Sequence, residues 1–143
     1  MSYSLSLLDK SPIAEGATAA DALRFTVALA QRAEALGYRR FWIAEHHGAP
    51  GLASSAPEIV VSHVLAHTSS IRVGSGGVML QHYSPFKVAE TFKLLASLAP
   101  GRVDLASARR RAACRSRRAR CNRCTTSRAG PRLPSSSPSS TRS

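Results

Sequence analysis

Two consecutive histidines, His46 and His47, follow a carboxylate, Glu45, directly after the apolar run Arg40 to Ala44. An imidazole changes its charge near neutral pH, so a histidine fixed at the end of a strand is equipped to exchange a proton with a bound molecule. Farther along, Ile71 to Gly74 leads into Ser75-Gly76-Gly77, which sets two residues without side chains at the end of an apolar run.

Each feature also has a plainer reading. A histidine pair at a strand end is often only a hydrogen-bonded loop, and Ser-Gly-Gly alone is a turn. Glu45 either orients His46 or pairs with a neighbouring helix, and His47 suits structure as well as chemistry. Glu90 falls in a helical stretch and reads as a structural carboxylate, while His63, His67 and His82 read as helix, helix-end and loop residues without metal-ligand spacing. Cys121-x-x-Cys124 has the gap of half a zinc site, but Cys114 is the only other thiol, no histidine follows and the surrounding arginines oppose a dication, so no metal is expected.

The elements that must hold these residues follow from periodicity. Tyr3 to Leu8 alternates in part and runs into Asp9-Lys10-Ser11-Pro12, which predicts a first strand ending in a loop. Thr18-Ala-Ala-Asp21 has the form of a capping box, Leu23, Val27, Ala30 and Glu34 recur at helical spacing, and Gly37 supplies the stop. Arg40 to Ala44 is a second strand, Ser55-Ala-Pro57-Glu58 opens a second helix that continues through Ile59 to Thr68, and Ile71 to Gly74 is a third strand. Ser84-Pro85 opens a third helix, Phe86 to Leu98, and Arg102 to Leu105 starts a fourth strand. Strands alternating with helices across short connections predict parallel pairing in an α/β sheet or barrel.

Charge divides the chain sharply. Residues 1–105 carry nine Lys and Arg against eight acids, whereas residues 106–143 carry eleven Arg and no acid, so the formal net charge of +12 belongs almost wholly to the tail. That excludes reading the whole protein as a basic nucleic-acid binder. The tail has Leu133 as its one large aliphatic residue and no aromatic to stack on bases, so residues 106–143 are expected to be a disordered Arg/Ser/Pro-rich tail with no specific nucleic-acid partner. With all three cysteines in the tail, no signal-peptide pattern and no apolar run near the roughly eighteen residues of a membrane span, the expectation is a soluble cytoplasmic protein.

Four blocks then point to a family. Phe41-Trp-Ile-Ala-Glu-His-His47, Val73-Gly-Ser-Gly-Gly-Val78, Ser84-Pro85 with Glu90, and Pro100-Gly-Arg-Val-Asp-Leu105, in that order over about 100 residues, resemble the bacterial-luciferase-like flavin-dependent monooxygenases. The resemblance implies a (β/α)8 TIM barrel, of which residues 1–105 are the N-terminal portion, about three and a half βα units, with reduced FMN across the carboxyl ends of the strands. It implies His46 as the proton-transfer residue beside the flavin, Gly76-Gly77 as a small-residue pair forming a cis peptide beneath the ring, and Glu45 and Ser75 among the cofactor-binding residues. The activity implied is oxidation of a small organic substrate such as an aldehyde with reduced FMN and O2, supplied where needed by a flavin reductase, in proteins that are often dimers.

Two rival readings remain: a deazaflavin-dependent dehydrogenase of the same superfamily, and a non-enzymatic Arg-rich nucleic-acid- or anion-binding polypeptide. Family members run on after the fourth strand with Gly-aliphatic-Gly, where this chain has Ala106-Ser107-Ala108. Reading those codons one base earlier, with G in front, restores that pattern. The expectation is therefore a frameshift near Leu105 and a truncated chain, inactive as written, and an intact reading frame on resequencing would remove it.

Overall fold

The computed structural model describes residues 3–108. Their elements are β1 (Ser6–Asp9), α1 (Ala19–Ala35), β2 (Arg40–Ile43), α2 (Pro57–Ala66), β3 (Arg72–Met79), a short 3-10 turn (Leu80–His82), α3 (Pro85–Leu98) and β4 (Val103–Ala108). All four strands are parallel and adjacent in chain order, β1-β2-β3-β4. This is the alternation expected from the sequence. β4 continues through Ala106, Ser107 and Ala108, which the sequence had assigned to the tail. The rest of the expected tail, residues 109–143, and with it all three cysteines, lies outside the described residues. No helix among the described residues is long and apolar enough to cross a membrane.

Side-chain alternation along the strands sorts the sheet into two faces. Phe41, Ile43 and Val73 are fully buried and pack with Ala30 and Ala33 of α1, Val61, Val64 and Leu65 of α2, and Val88, Phe92 and Leu95 of α3. Arg40, Trp42, Arg72, Gly74 and Gly76 alternate with these core residues and therefore belong to the opposite face, the inner face of a barrel wall.

Local chemistry fixes the helices. At the start of α1 the Thr18 hydroxyl accepts the Asp21 N–H at 3.2 Å, and the Asp21 carboxylate accepts the Thr18 N–H at 2.9 Å, the capping box legible in the sequence. Near its end, Glu34 accepts N–H groups from Ser69, Ser70 and Ile71 at 2.9, 2.5 and 2.9 Å and so fixes the entry to β3. Burial alone would raise the Glu34 pKa, but the N–H groups of Ile71 and Ser70, the Ser70 hydroxyl and the Ser69 N–H outweigh it and bring it down to about 2. Arg102 performs a similar service for β4, donating to Thr68 O at 2.9 Å and to Ile71 O at 3.2 Å.

At the amino ends of the strands, Arg40 and Arg72, register partners on β2 and β3, converge on Asp104 of β4. Arg40 Nε and Arg72 Nε lie 3.1 and 2.9 Å from Asp104 Oδ2, and a further bond joins Arg72 Nη2 to Oδ1. Hydrogen bonding from Arg72 above all, then its charge and those of Arg40, holds the Asp104 carboxyl below the usual range against the opposing effect of burial. Gly74 stands in register with Asp104, and a Cβ there would meet the Asp104 carbonyl oxygen at 2.2 Å, so only glycine fits.

The structure also moves β1 from the expected Tyr3 to Leu8 to Ser6–Asp9, and it extends β3. Ile71 to Gly74 reads as a strand ending at Ser75-Gly76-Gly77, yet β3 continues to Met79. Its register with β4 shifts between Ser75 and Val78: Ser75 pairs with Leu105 and Val78 with Ser107, so Gly76 and Gly77 together oppose only Ala106. The pair forms a bulge, with Gly77 at φ +154, a conformation open to glycine and strained for other residues. All described peptide bonds are trans, including the one between Gly76 and Gly77, where the resemblance implied cis.

Candidate active site

The carboxyl ends of the strands gather the residues singled out by type. On the inner face, Gly76 is exposed, and a Cβ built on it would meet Leu8 Cδ1 at 2.7 Å, Ile43 O at 3.5 Å and Trp42 Cβ at 3.6 Å. Its missing side chain leaves a ledge between an exposed leucine and a half-buried indole.

The loop after β2 is held from two sides. Ala44 N–H donates to Asp9 O, Ala53 N–H to Ser11 O and Ile13 N–H to Gly51 O, each at 2.9 Å, so this loop rides on the one that follows β1. Within it the Ser54 hydroxyl donates to Ala44 O at 2.6 Å, and the His46 N–H donates to Ser54 O at 2.9 Å. The β1 loop is anchored in turn by Thr26 of α1, whose hydroxyl lies 2.6 Å from Asp9 Oδ2 and 2.9 Å from Ser11 Oγ. The backbone of His46 is therefore fixed through a chain of bonds reaching back to the first helix.

The two histidines, adjacent in sequence, have different surroundings. Nε2 of His46 is buried and has no hydrogen-bond partner among the described residues. Nε2 of His47 lies 2.5 Å from Glu45 Oε1, while Glu45 Oε2 accepts the Met79 N–H at 2.9 Å. The Glu45 side chain is fully enclosed, and its partner is His47, not His46. Ser75 is also fully buried; its hydroxyl accepts the Gly77 N–H at 3.2 Å and braces the bulge from within β3.

Three participants escaped the sequence reading. They are the Met79 N–H, His82, whose ring centroid is 4.9 Å from that of His47, and Tyr83. Burial, then the negative charges of Glu45 and Glu58, pushes the Tyr83 phenol up to about 12. Polar Gln81, His82 and Tyr83 directly after the apolar Val78-Met79-Leu80 were the available signal, since they mark a loop at a strand's carboxyl end, the end where parallel α/β folds place their sites. Among the described residues no group of three or more His, Cys, Asp or Glu could hold a metal ion.

A reduced isoalloxazine is a flat, largely apolar ring with a polar edge. It requires a floor without side chains, apolar flanks and a hydrogen-bonding group at the edge. Gly76, the pair Leu8 and Trp42, and the unpartnered His46 Nε2 fit those requirements.

Parallel strands in chain order with helices packed on one face are the wall of an α/β barrel. Within that class the chain belongs to the luciferase-like monooxygenase family, whose model matches residues 1–115. It is 62% identical over 102 residues to the uncharacterized protein YwcH of Bacillus subtilis, covering 71% of this chain and 31% of that protein. It is 61% identical over 101 residues to the N-acetyl-S-alkylcysteine monooxygenase of the same organism, covering 71% and 30%. Among solved structures, apo-MsnO8 matches with a TM-score of 0.70 and 51% identity over 71% of this chain and 31% of its own. The oxygenating constituent of 3,6-diketocamphane monooxygenase from the CAM plasmid of Pseudomonas putida, in complex with FMN, shares the fold with a TM-score of 0.68 and 21% identity, covering 73% and 29%. The chain thus spans 31% and 30% of the lengths of the two curated relatives.

Proposed function

We propose that residues 3–108 form the flavin-facing first part of an FMN-dependent monooxygenase that inserts one atom of O2 into a small organic molecule. The observation that carries this reading is the buried, unpartnered His46 Nε2 at the same end of the sheet as the Gly76 ledge. A buried polar atom without a partner costs roughly 1–3 kcal/mol, and a bound ring edge would remove that penalty. The 61% identity to a monooxygenase favours oxygen chemistry over hydride transfer to a deazaflavin.

When bound, reduced FMN supplies the two electrons that activate O2. The chain's own contribution is positional and protic. Gly76 admits the ring, Leu8 and Trp42 keep water from its face, and His46 Nε2 holds or moves a proton at its edge. Gly77 and Ser75 act beneath the ring by maintaining the bulge, and Glu45 acts through His47. The reaction belongs to the complete barrel; a reductase that delivers reduced flavin, and pairing of full-length subunits, are part of the same proposal.

The test is a chimera in which residues 1–108 of this chain replace the matching segment of the N-acetyl-S-alkylcysteine monooxygenase. The parent chimera is expected to take up reduced FMN anaerobically and to oxidise the relative's substrate or an aldehyde once O2 is admitted. His46→Asn should lower turnover by roughly 10²-fold or more. No uptake of reduced flavin, or indifference to the substitution, would falsify the reading; uptake of a deazaflavin in place of FMN would transfer it to hydride chemistry.

A further inference from the structure

We propose that Glu45 is a positioning residue for His47: its enclosed carboxylate fixes the imidazole with Nε2–H toward Glu45 and Nδ1 as the free acceptor, and ties that imidazole to the tip of β3. The meaning of the arrangement for catalysis rests on the flavin reading, but the arrangement itself does not.

When ionised, a carboxylate only accepts hydrogen bonds, so the nitrogen 2.5 Å from Glu45 Oε1 must be the one that carries hydrogen. A neutral imidazole has one donor and one acceptor; with Nε2 committed as donor, Nδ1 is left with the lone pair. The Glu45 side chain is 0% exposed and that of His47 22%, so the pair is screened on the carboxylate side and open on the ring side. Glu45 Oε2 accepts the Met79 N–H at 2.9 Å, which leaves each carboxylate oxygen with a partner.

The position along the chain explains the geometry. Phe41 and Ile43 point to the helices, and Glu45 continues that alternation past the end of β2, which carries it into the protein rather than onto the ledge. His46 is only partly buried, and its Nε2 has no partner among the described residues. Glu45 therefore serves the second imidazole and leaves the first to a ligand. Met79 is the last residue of β3, separated by Val78 from the bulge made by Gly76 and Gly77, so the carboxylate links the two strand ends that flank the ledge. Other ionisable groups around it are His82, edge-on to His47, and Tyr83, whose phenol feels the charges of Glu45 and Glu58.

The test is the ring-nitrogen NMR spectrum of the 15N-labelled 143-residue chain without flavin, with the same measurement on the chimera as a second arm. His47 in its neutral form is expected as a single Nε2–H tautomer, and the Met79 amide as slow to exchange. In Glu45→Gln the amide can donate to Nε2 and select the other tautomer, so the His47 nitrogen shifts should exchange places or average. If the amide oxygen instead stays on His47, the NH2 faces the Met79 N–H, and Met79 amide protection should fall at least 10-fold while the Ala30 amide of α1 keeps its own. Either Nδ1–H or a freely averaging His47 ring in the unsubstituted protein overturns the proposal, as does a Glu45→Gln spectrum unchanged at both His47 and Met79. Failure of flavin binding with these signatures intact would sink the cofactor reading alone.

Discussion

Replacing Gly74 with alanine should break the sheet at its tightest point. A Cβ at this position would lie 2.2 Å from the Asp104 carbonyl oxygen and 2.8 Å from the carbonyl carbon, both backbone atoms unable to rotate away. A carbon normally approaches such an oxygen no closer than about 3.3 Å, so β3 and β4 would have to part by about 1 Å. Neighbouring bonds such as Val73 N–H to Arg102 O, now 2.8 Å, would stretch beyond the useful limit of about 3.2 Å. Losing two of them at about 1 kcal/mol each, together with the strain of overpacking at about 1–2 kcal/mol, gives about 3–4 kcal/mol. Gly76→Ala is the control two residues along the same strand. Its Cβ would meet Leu8 Cδ1 at 2.7 Å, the end of a flexible side chain that is 55% exposed and free to swing, so its stability effect should stay below about 1 kcal/mol. Urea unfolding followed by the fluorescence of Trp42, the single tryptophan, measures both. A Gly74→Ala protein as stable as its parent, or a Gly76→Ala protein equally damaged, would refute the backbone-contact argument.

Three further outcomes follow from individual groups. Glu34 has a folded pKa of about 2 against an ordinary 4.5, so its contribution is fully present above about pH 4.5 and is lost as pH falls toward 2; Glu34→Gln should flatten that part of the stability profile. Discounted for solvent screening at a partly exposed group, the effect is about 1 kcal/mol, measured by urea midpoints across pH 2–5. Tyr83, with its phenol pushed up to about 12, should ionise well above the ordinary phenol value in an ultraviolet alkaline titration, and its stabilisation should decline as pH rises from about 10 to 12. Thr18→Ala removes the hydroxyl that caps α1 and should lower stability by about 1 kcal/mol, read from the thermal midpoint, whereas Thr18→Ser should restore it.

The elements that could be read from the sequence were those set by local chemistry. The Thr18 to Asp21 box, proline in the first turns of α2 and α3, and the run of β2 are near-neighbour patterns, and the structure has each where it was expected, while β1, expected over Tyr3 to Leu8, is shifted to Ser6–Asp9. Reading failed where the determinant lies far along the chain. Ser75-Gly76-Gly77 has the composition of a turn and is drawn into β3 because β4 pairs with Ser75 and again with Val78, beyond the bulge. Glu45 was open between orienting His46 and pairing with a helix; it does neither, because its partners, His47 and the Met79 N–H, depend on which way the chain turns after β2 and on where β3 ends. Leu105 marked the apparent end of pattern, yet strand pairing reaches Ala108, since small residues suffice where the sheet partner is another backbone.

The arrangement of Arg40, Arg72 and Asp104 bears on the order in which the chain assembles. The two guanidiniums are register partners on neighbouring strands, and like charges placed side by side oppose strand pairing. Synthesis delivers both arginines well before the one carboxylate that reconciles them, at position 104. A nascent chain stopped after α3 would thus hold β2 and β3 together only against mutual repulsion, and the arrival of β4 turns that repulsion into a clasp spanning three strands.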